Sequence, residues 1–205
     1  MTAVLLCITG LLLSSALWAA PPQDYILGYI FKNPDGSVFR CMRYYLRDGN
    51  KFRVEYLATV QYHINNTELT AEYLTTDIEP HTIEILRKDK GLVWTLDTSF
   101  KVYSQISMRP DVWEQDTTKL FINDFSGLKK TGETKLLNYS CDIYQTARDG
   151  WTNILTVAQG INVVLKSELS QNGKLLQIME AIEFRAEKPA ADLFEIPAGY
   201  ENQVN

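Results

Sequence analysis

The chain has 205 residues, 45% of them hydrophobic, and 20 Lys+Arg against 25 Asp+Glu give a formal net charge of −5. With no basic run longer than Arg87-Lys88 or Lys129-Lys130, that balance argues against an electrostatic hold on nucleic acid or anionic lipid. The length fits one domain that can bury a core without covalent staples.

The first element is an export signal. From Ala3 to Ala20 there is no charge, and apolar density is greatest over Val4-Leu5-Leu6 and Leu11-Leu12-Leu13. Small residues lead to Leu17-Trp18-Ala19-Ala20 and then Pro21-Pro22. An apolar h-region followed by small residues is the signal-peptide pattern, although the n-region lacks Lys or Arg. Cleavage is expected after Ala19, so residues 1–19 are signal and 20–205 a single β domain located in the periplasm. The alternative is an uncleaved anchor, since the run approaches the ~18 residues that span a bilayer. Thr9, Gly10, Ser14 and Ser15 make it a poor anchor. Cys7, with Leu6 before it and the apolar run barely begun, does not fit a lipidation site. No transmembrane segment is expected once the signal is removed.

The remaining chain reads as short strands between turn signals. Asn33-Pro34-Asp35-Gly36 separates Tyr25–Lys32 from Ser37–Arg47, and Asp48-Gly49 separates that strand from Lys51–Ala58. Asp89-Lys90-Gly91 lies between His81–Arg87 and Leu92–Asp97, and Asp149-Gly150 and Asn172-Gly173 punctuate the last third. Such turns between runs rich in Val, Ile, Tyr, Phe and Thr are hairpin signals. Phe52, Val54 and Tyr56 share one face with Lys51, Arg53 and Glu55 opposite. Leu92, Trp94 and Leu96 share a face, as do Leu176, Ile178, Ile182 and Phe184. A period of two with one polar side predicts an antiparallel sheet, wet on one face, arranged as a meander or incomplete barrel.

Two segments break the strand pattern. Asp111-Val112-Trp113-Glu114 opens a helical stretch after Pro110, with Asp111 placed to cap it. Trp113, Leu120 and Phe121 fall at i, i+7 and i+8 on one side of that helix. Asn66 to Thr75 is a weaker helix candidate, with Leu69 and Tyr73 four apart. No internal repeat or linker is present.

Catalytic chemistry is missing. The two histidines, His63 and His81, have no partner at ligand spacing, and no Cys-x-x-Cys or calcium-loop array occurs, so no metal is expected. There is no Gly-x-Ser-x-Gly elbow and no Gly-rich phosphate loop, so neither enzyme activity nor a cofactor is expected. Glu180 and Glu183 form the carboxylate pair to inspect, though solvated positions suit them better. Sequons at Asn65 and Asn138 carry no weight for a bacterial protein. Cys41 and Cys141 allow either a disulfide or two buried thiols.

The aromatic residues carry more. If the helix covers a curled sheet, Trp94, Trp113 and Phe121 meet beneath it, with Leu92, Leu96 and Leu120 alongside. These six line either a packed core or an apolar ligand cavity, since both need the same residues.

The order of segments has a wider likeness. Lys51-Phe52-Arg53-Val54-Glu55 is followed by Ile83-Glu84-Ile85-Leu86-Arg87-Lys88-Asp89-Lys90-Gly91-Leu92-Val93-Trp94. Then come Lys129-Lys130-Thr131-Gly132-Glu133-Thr134, Asn138-Tyr139-Ser140-Cys141-Asp142-Ile143-Tyr144 and Ala191-Asp192-Leu193-Phe194-Glu195-Ile196-Pro197-Ala198-Gly199-Tyr200. From about Tyr25 to Tyr200 the chain resembles the periplasmic lipoprotein-localisation superfamily of LolA and LolB, in particular a secreted branch akin to outer-membrane lipoprotein-sorting proteins. The resemblance implies an unclosed antiparallel β-barrel with a helical lid, and a lipid, an acyl chain or a lipidated protein as ligand. The expected function is therefore a periplasmic binding or carrier protein. The alternative is a non-catalytic envelope scaffold that binds other proteins around a solid core. In the closing segment, Pro189 ends the last strand, and Leu193, Phe194 and Ile196 are expected to seal one end of the barrel.

Overall fold

The computed structural model describes residues 22–57, 80–118, 120–122 and 124–203. The predicted signal segment, the candidate helix at 66–75, His63 and the sequon at Asn65 lie outside the described residues. The strands are β1 Tyr25–Lys32, β2 Val38–Arg47, β3 Lys51–Leu57, β4 Pro80–Arg87, β5 Leu92–Asp97 and β6 Val102–Ser107. Helix α1, Pro110–Thr118, follows. Then come β7 Lys129–Leu136, β8 Tyr139–Arg148, β9 Trp151–Ala158, β10 Val164–Gln171 and β11 Lys174–Arg185. A 3-10 helix, Ala191–Phe194, and β12 Glu201–Asn202 close the chain.

All of these strands form one 12-stranded sheet in the order β12-β6-β5-β4-β3-β2-β1-β11-β10-β9-β8-β7. Neighbours are antiparallel except β12, which runs parallel to β6. The sheet does not close, because its ends, β7 and β12, do not pair. It curls toward one face, called here the inner face. There the Tyr139 ring of β8 packs 5.5 Å from the Phe184 ring of β11, though a flat sheet would hold those strands roughly 14 Å apart.

The hairpins follow from turn chemistry. Asp149 and Gly150 (φ 51° and 80°) and Asn172 and Gly173 (φ 50° and 78°) take the paired positive φ that tight hairpins with native twist require. The Leu137-Asn138 turn does the same with φ 49° and 67°; Asn138 accepts the left-handed region, but no glycine follows it to mark the turn.

Two expectations about the faces are overturned. The outer face of β1–β5 is not wet. The C-terminal segment returns over it, and Phe194, 0% exposed, packs with Ile26, Tyr45, Ile83, Ile85 and Leu96. Leu193, Phe194 and Ile196 thus cover a face and do not seal an end. Arg53 and Glu55, expected in solvent, are 7% and 5% exposed. Arg53 Nη2 lies 2.8 Å from Glu55 Oε1, and Arg53 Nη1 donates to the Leu193 carbonyl at 2.8 Å. Local alternation records which residues share a face, not what distant segment covers it.

The shared face of Leu176, Ile178, Ile182 and Phe184 is also interrupted. Gly28 pairs with Glu183 and Tyr29 with Ala181, so Ile182 is the extra residue of a bulge. Ala181 and Phe184 therefore both face the inner core, while Ile182 packs outward with Ile30, Cys41 and Leu57.

Candidate functional site

Strand directions give the sheet two ends. One carries the turns at 48–50, 88–91, 137–138 and 159–162, and α1 lies there. The Met108 N–H, just before the helix, donates to the Gly91 carbonyl at 2.9 Å. Pro110 is the first helical residue, where its fixed φ and missing N–H are tolerated. Asp111 is consequently inside the first turn and not the cap; it pairs with Arg109 at 3.3 Å and its charge suits the helix N-terminus.

The helix is attached lightly. Among its described side chains Trp113 is the buried one, 8% exposed; Val112 is half-buried, and Asp111, Glu114 and Gln115 face solvent. Lys88 Nζ stands 5.3 Å from the centroid of the Trp113 ring, a cation–π contact. The indole enters the inner-face core among residues including Phe52, Leu86 and Val93.

The helix stops at Thr118, so Leu120 and Phe121 are not on its face. They belong to an extended stretch laid along the β9–β10 turn. Phe121 forms a bridge with Val163, and the Val164 N–H donates to the Leu120 carbonyl at 3.0 Å. Both are buried in the same inner core as Trp113.

The six sequence-derived candidates therefore split. Trp113, Leu120 and Phe121 meet on the inner face, whereas Leu92, Trp94 and Leu96 lie on the outer face beneath Phe194 and its neighbours. Trp94 Nε1 donates to Gln105 Oε1 at 2.8 Å, and Lys90 Nζ lies 5.1 Å from its ring centroid. From β5 it is Val93 that reaches the inner core. The expected meeting of Trp113 with Trp94 fails because α1 reaches the Val93 face of β5 while the C-terminal segment covers the Trp94 face, and shared parity could not tell which one the helix takes.

Sequence reasoning missed the tyrosines. Tyr25, Tyr29 and Tyr44 are all buried on the inner face. The Tyr29 hydroxyl donates to the Val164 carbonyl, and that of Tyr44 to the Met42 sulfur at 3.3 Å. The Tyr25 hydroxyl is buried without a hydrogen-bond partner among the described residues. Burial, reinforced by the neighbouring Tyr44, pushes the pKa of both Tyr25 and Tyr29 well above the ordinary phenol value, so both stay protonated. The available signal was the even spacing Tyr25-x-x-x-Tyr29, which puts both rings on one face of a strand.

The remaining candidates have structural settings. Cys41 and Cys141 are free, buried thiols, one in the outer cluster of Ile30 and Leu57 and the other in the inner core. Glu180 pairs with Lys32 at 2.8 Å, and Glu183 with Arg185 at 2.8 Å, so each carboxylate is matched to a cation. His81 is exposed, its Nδ1 3.3 Å from Ser99 Oγ. Among the described residues no group of three or more His, Cys, Asp or Glu is placed to hold a metal, and no helix is long and apolar enough to cross a membrane.

No family model and no curated protein matches the sequence. Among solved structures the chain is similar to an uncharacterized conserved protein from Thermus thermophilus, with 14% identity and a TM-score of 0.51 over 87% of this chain and 89% of that one. It is similar also to the MucA/MucB complex structure of Pseudomonas aeruginosa, with 16% identity and a TM-score of 0.53 over 85% of this chain. There it spans 56% of the matched chain, little more than half its length. A lipoprotein-sorting domain from Vibrio parahaemolyticus aligns over 83% of this chain and 88% of that one at 12% identity, with a TM-score of 0.31. At these identities the first two likenesses establish a common fold: an open, mostly antiparallel sheet.

Proposed function

We propose that this protein is a non-catalytic binding or carrier protein of the bacterial cell envelope, and that its inner face takes up a lipid or acyl chain, free or attached to a lipoprotein. The observation that carries this reading is the narrow attachment of α1. A core helix holds on through a stripe of apolar residues; among the described side chains of α1, Trp113 alone is fully buried in the inner core, with the half-buried Val112 packed beside it. Elements with few buried contacts open at low free-energy cost. Withdrawing one indole would uncover an apolar, aromatic-lined face at the open end of the sheet, and an acyl chain would fill the space it leaves. Trp113 is then a plug that ligand displaces. The predicted export signal and the resemblance to LolA and LolB agree with this reading.

A second reading, an envelope module that binds a protein, is favoured by the unpaired edge of β7, open to an added strand. MucB, which shares the fold, occurs in complex with MucA.

Trp113→Ala in the exported chain separates a plug from ordinary core. Removing a tightly packed core Trp typically costs ~3–5 kcal/mol. A plug should instead give a small fall in the unfolding midpoint and tighter binding of cis-parinaric acid, followed by fluorescence. A large loss of stability with unchanged probe binding would make Trp113 ordinary core and end the carrier reading.

A further inference from the structure

The inner face contains one hydrogen-bond donor too many. Tyr25, Tyr29 and Tyr44 stand together in it, and two of the three hydroxyls are matched, to the Val164 carbonyl and the Met42 sulfur. Tyr25 is 0% exposed and its hydroxyl has no hydrogen-bond partner among the described residues. Phenylalanine would fill the same volume without an unmet donor, and burying such a group unpaired costs free energy. Packing alone therefore does not account for tyrosine at this position.

Its location points to the ligand. Tyr25 opens β1 at the end of the sheet that α1 covers, and its ring packs 5.3 Å from that of Phe121 in the stretch just after α1. Tyr25 thus lies at the end of the inner face by which a chain displacing this cap would enter. A protonated phenol donates, so the matching group is an acceptor. The buried charged residues Arg53, Glu55 and Arg87 all lie on the opposite face, and Lys88, over the Trp113 ring, is exposed at the rim, so a carboxylate drawn into the inner core has no buried counter-ion among the described residues. Burying an unpaired carboxylate is far more costly than burying a neutral carbonyl.

Resting on the carrier reading, we infer that Tyr25 is a specificity-determining residue that donates a hydrogen bond to the neutral carbonyl of an ester- or amide-linked acyl chain. The ligand class is thus an acylated molecule, a glycerolipid or a lipidated polypeptide, in preference to a free fatty acid or a plain hydrocarbon.

The test compares methyl palmitate, palmitate and hexadecane, each displacing the methyl ester of cis-parinaric acid from wild type and Tyr25→Phe. Wild type should bind methyl palmitate about tenfold more tightly than hexadecane, the size of one net hydrogen bond. Palmitate at pH 8 should bind less tightly than its ester. Tyr25→Phe should lose about tenfold for methyl palmitate and nothing for hexadecane, and should unfold at the same or higher denaturant concentration. If the variant binds both ligands as wild type does, the hydroxyl contacts no ligand and the inference is overturned while the carrier reading stands. Palmitate binding above the ester would overturn the neutral-carbonyl argument. If wild type binds none of the three, the carrier reading fails and this inference with it.

Discussion

Arg87, on β4, donates from Nη1 to the carbonyl of Phe194 at 3.0 Å across 107 residues of sequence. The same guanidinium grips Asp89 through Nε at 2.8 Å and Nη2 at 2.7 Å and Glu195 through Nη1 at 2.5 Å. With Arg53, which donates to the Leu193 carbonyl, this side chain fastens the C-terminal segment to the outer face. Truncating Arg87 strands the Phe194 carbonyl and leaves Asp89 without its guanidinium partner, while Glu195 keeps Lys90 at 3.0 Å; a hydrogen bond to a charged group contributes ~1.5–3 kcal/mol. Arg87→Ala should lower the unfolding free energy by about that much. Arg87→Lys should recover only part of it, because an ammonium cannot make the planar fork. Urea titrations of the three proteins check both, and an Arg87→Ala midpoint equal to wild type would show that Phe194 packing and the Arg53 hydrogen bond hold the segment without Arg87.

Asp89 supplies the pH dependence. Its hydrogen bonds to Arg87 hold its carboxyl below the ordinary range. A depressed folded-state pKa contributes stability that is present above the unfolded value, about 3.9, and is lost as pH falls through the folded value. The stability gap between wild type and Asp89→Asn should therefore be level from pH 7 to pH 5 and shrink below about pH 4. A gap that widened on acidification would contradict the assignment.

The two thiols should be inert in the native state. Burial raises the pKa of Cys41 and Cys141, and thiolate is the reactive form. Ellman's reagent at pH 8 should label neither until denaturant unfolds the chain, and both immediately afterwards. Protein purified under oxidising conditions that shows no thiol in denaturant would establish a bond that the native arrangement does not make.

The strands are largely legible in the sequence. Tyr25–Lys32 and Leu92–Asp97 have the bounds that the pattern predicts, because turn residues that accept positive φ flank apolar runs. The parity of Phe52 and Val54 against Arg53 and Glu55 holds as well. What lies on each side is not legible. Arg53 and Glu55 read as solvated because a lone charged residue usually is; their burial depends on Leu193, 140 residues away. The site suffers from the same limit. Trp113, Leu120 and Phe121 stand out as apolar residues at helical spacing and do gather in one core, yet only Trp113 is helical. Phe121 reaches the core through its bridge to Val163, a pairing no local pattern encodes. Tyr25 reads as a strand former, and its unmatched hydroxyl is visible only once every neighbour is placed.

The sheet order has a consequence for how the chain acquires its structure. From β1 through β6, and again from β7 through β11, each strand pairs with the next in sequence, so both ladders can zip between sequence neighbours. The seam between them joins β1 to β11, where Lys32 meets Glu180, 148 residues away in sequence. Contacts of such separation are slow to form, since the entropy of closing the loop is lost before the contacts reward it. A chain delivered from its N-terminus would hold β1 with one edge bare until the last long strand arrives. That edge is the apolar run from Tyr25 to Phe31, the stretch most prone to pair with another unfinished copy in the interval. Joining β1 to β11 is therefore the expected rate-limiting step, and the moment at which a nascent molecule is most exposed to aggregation.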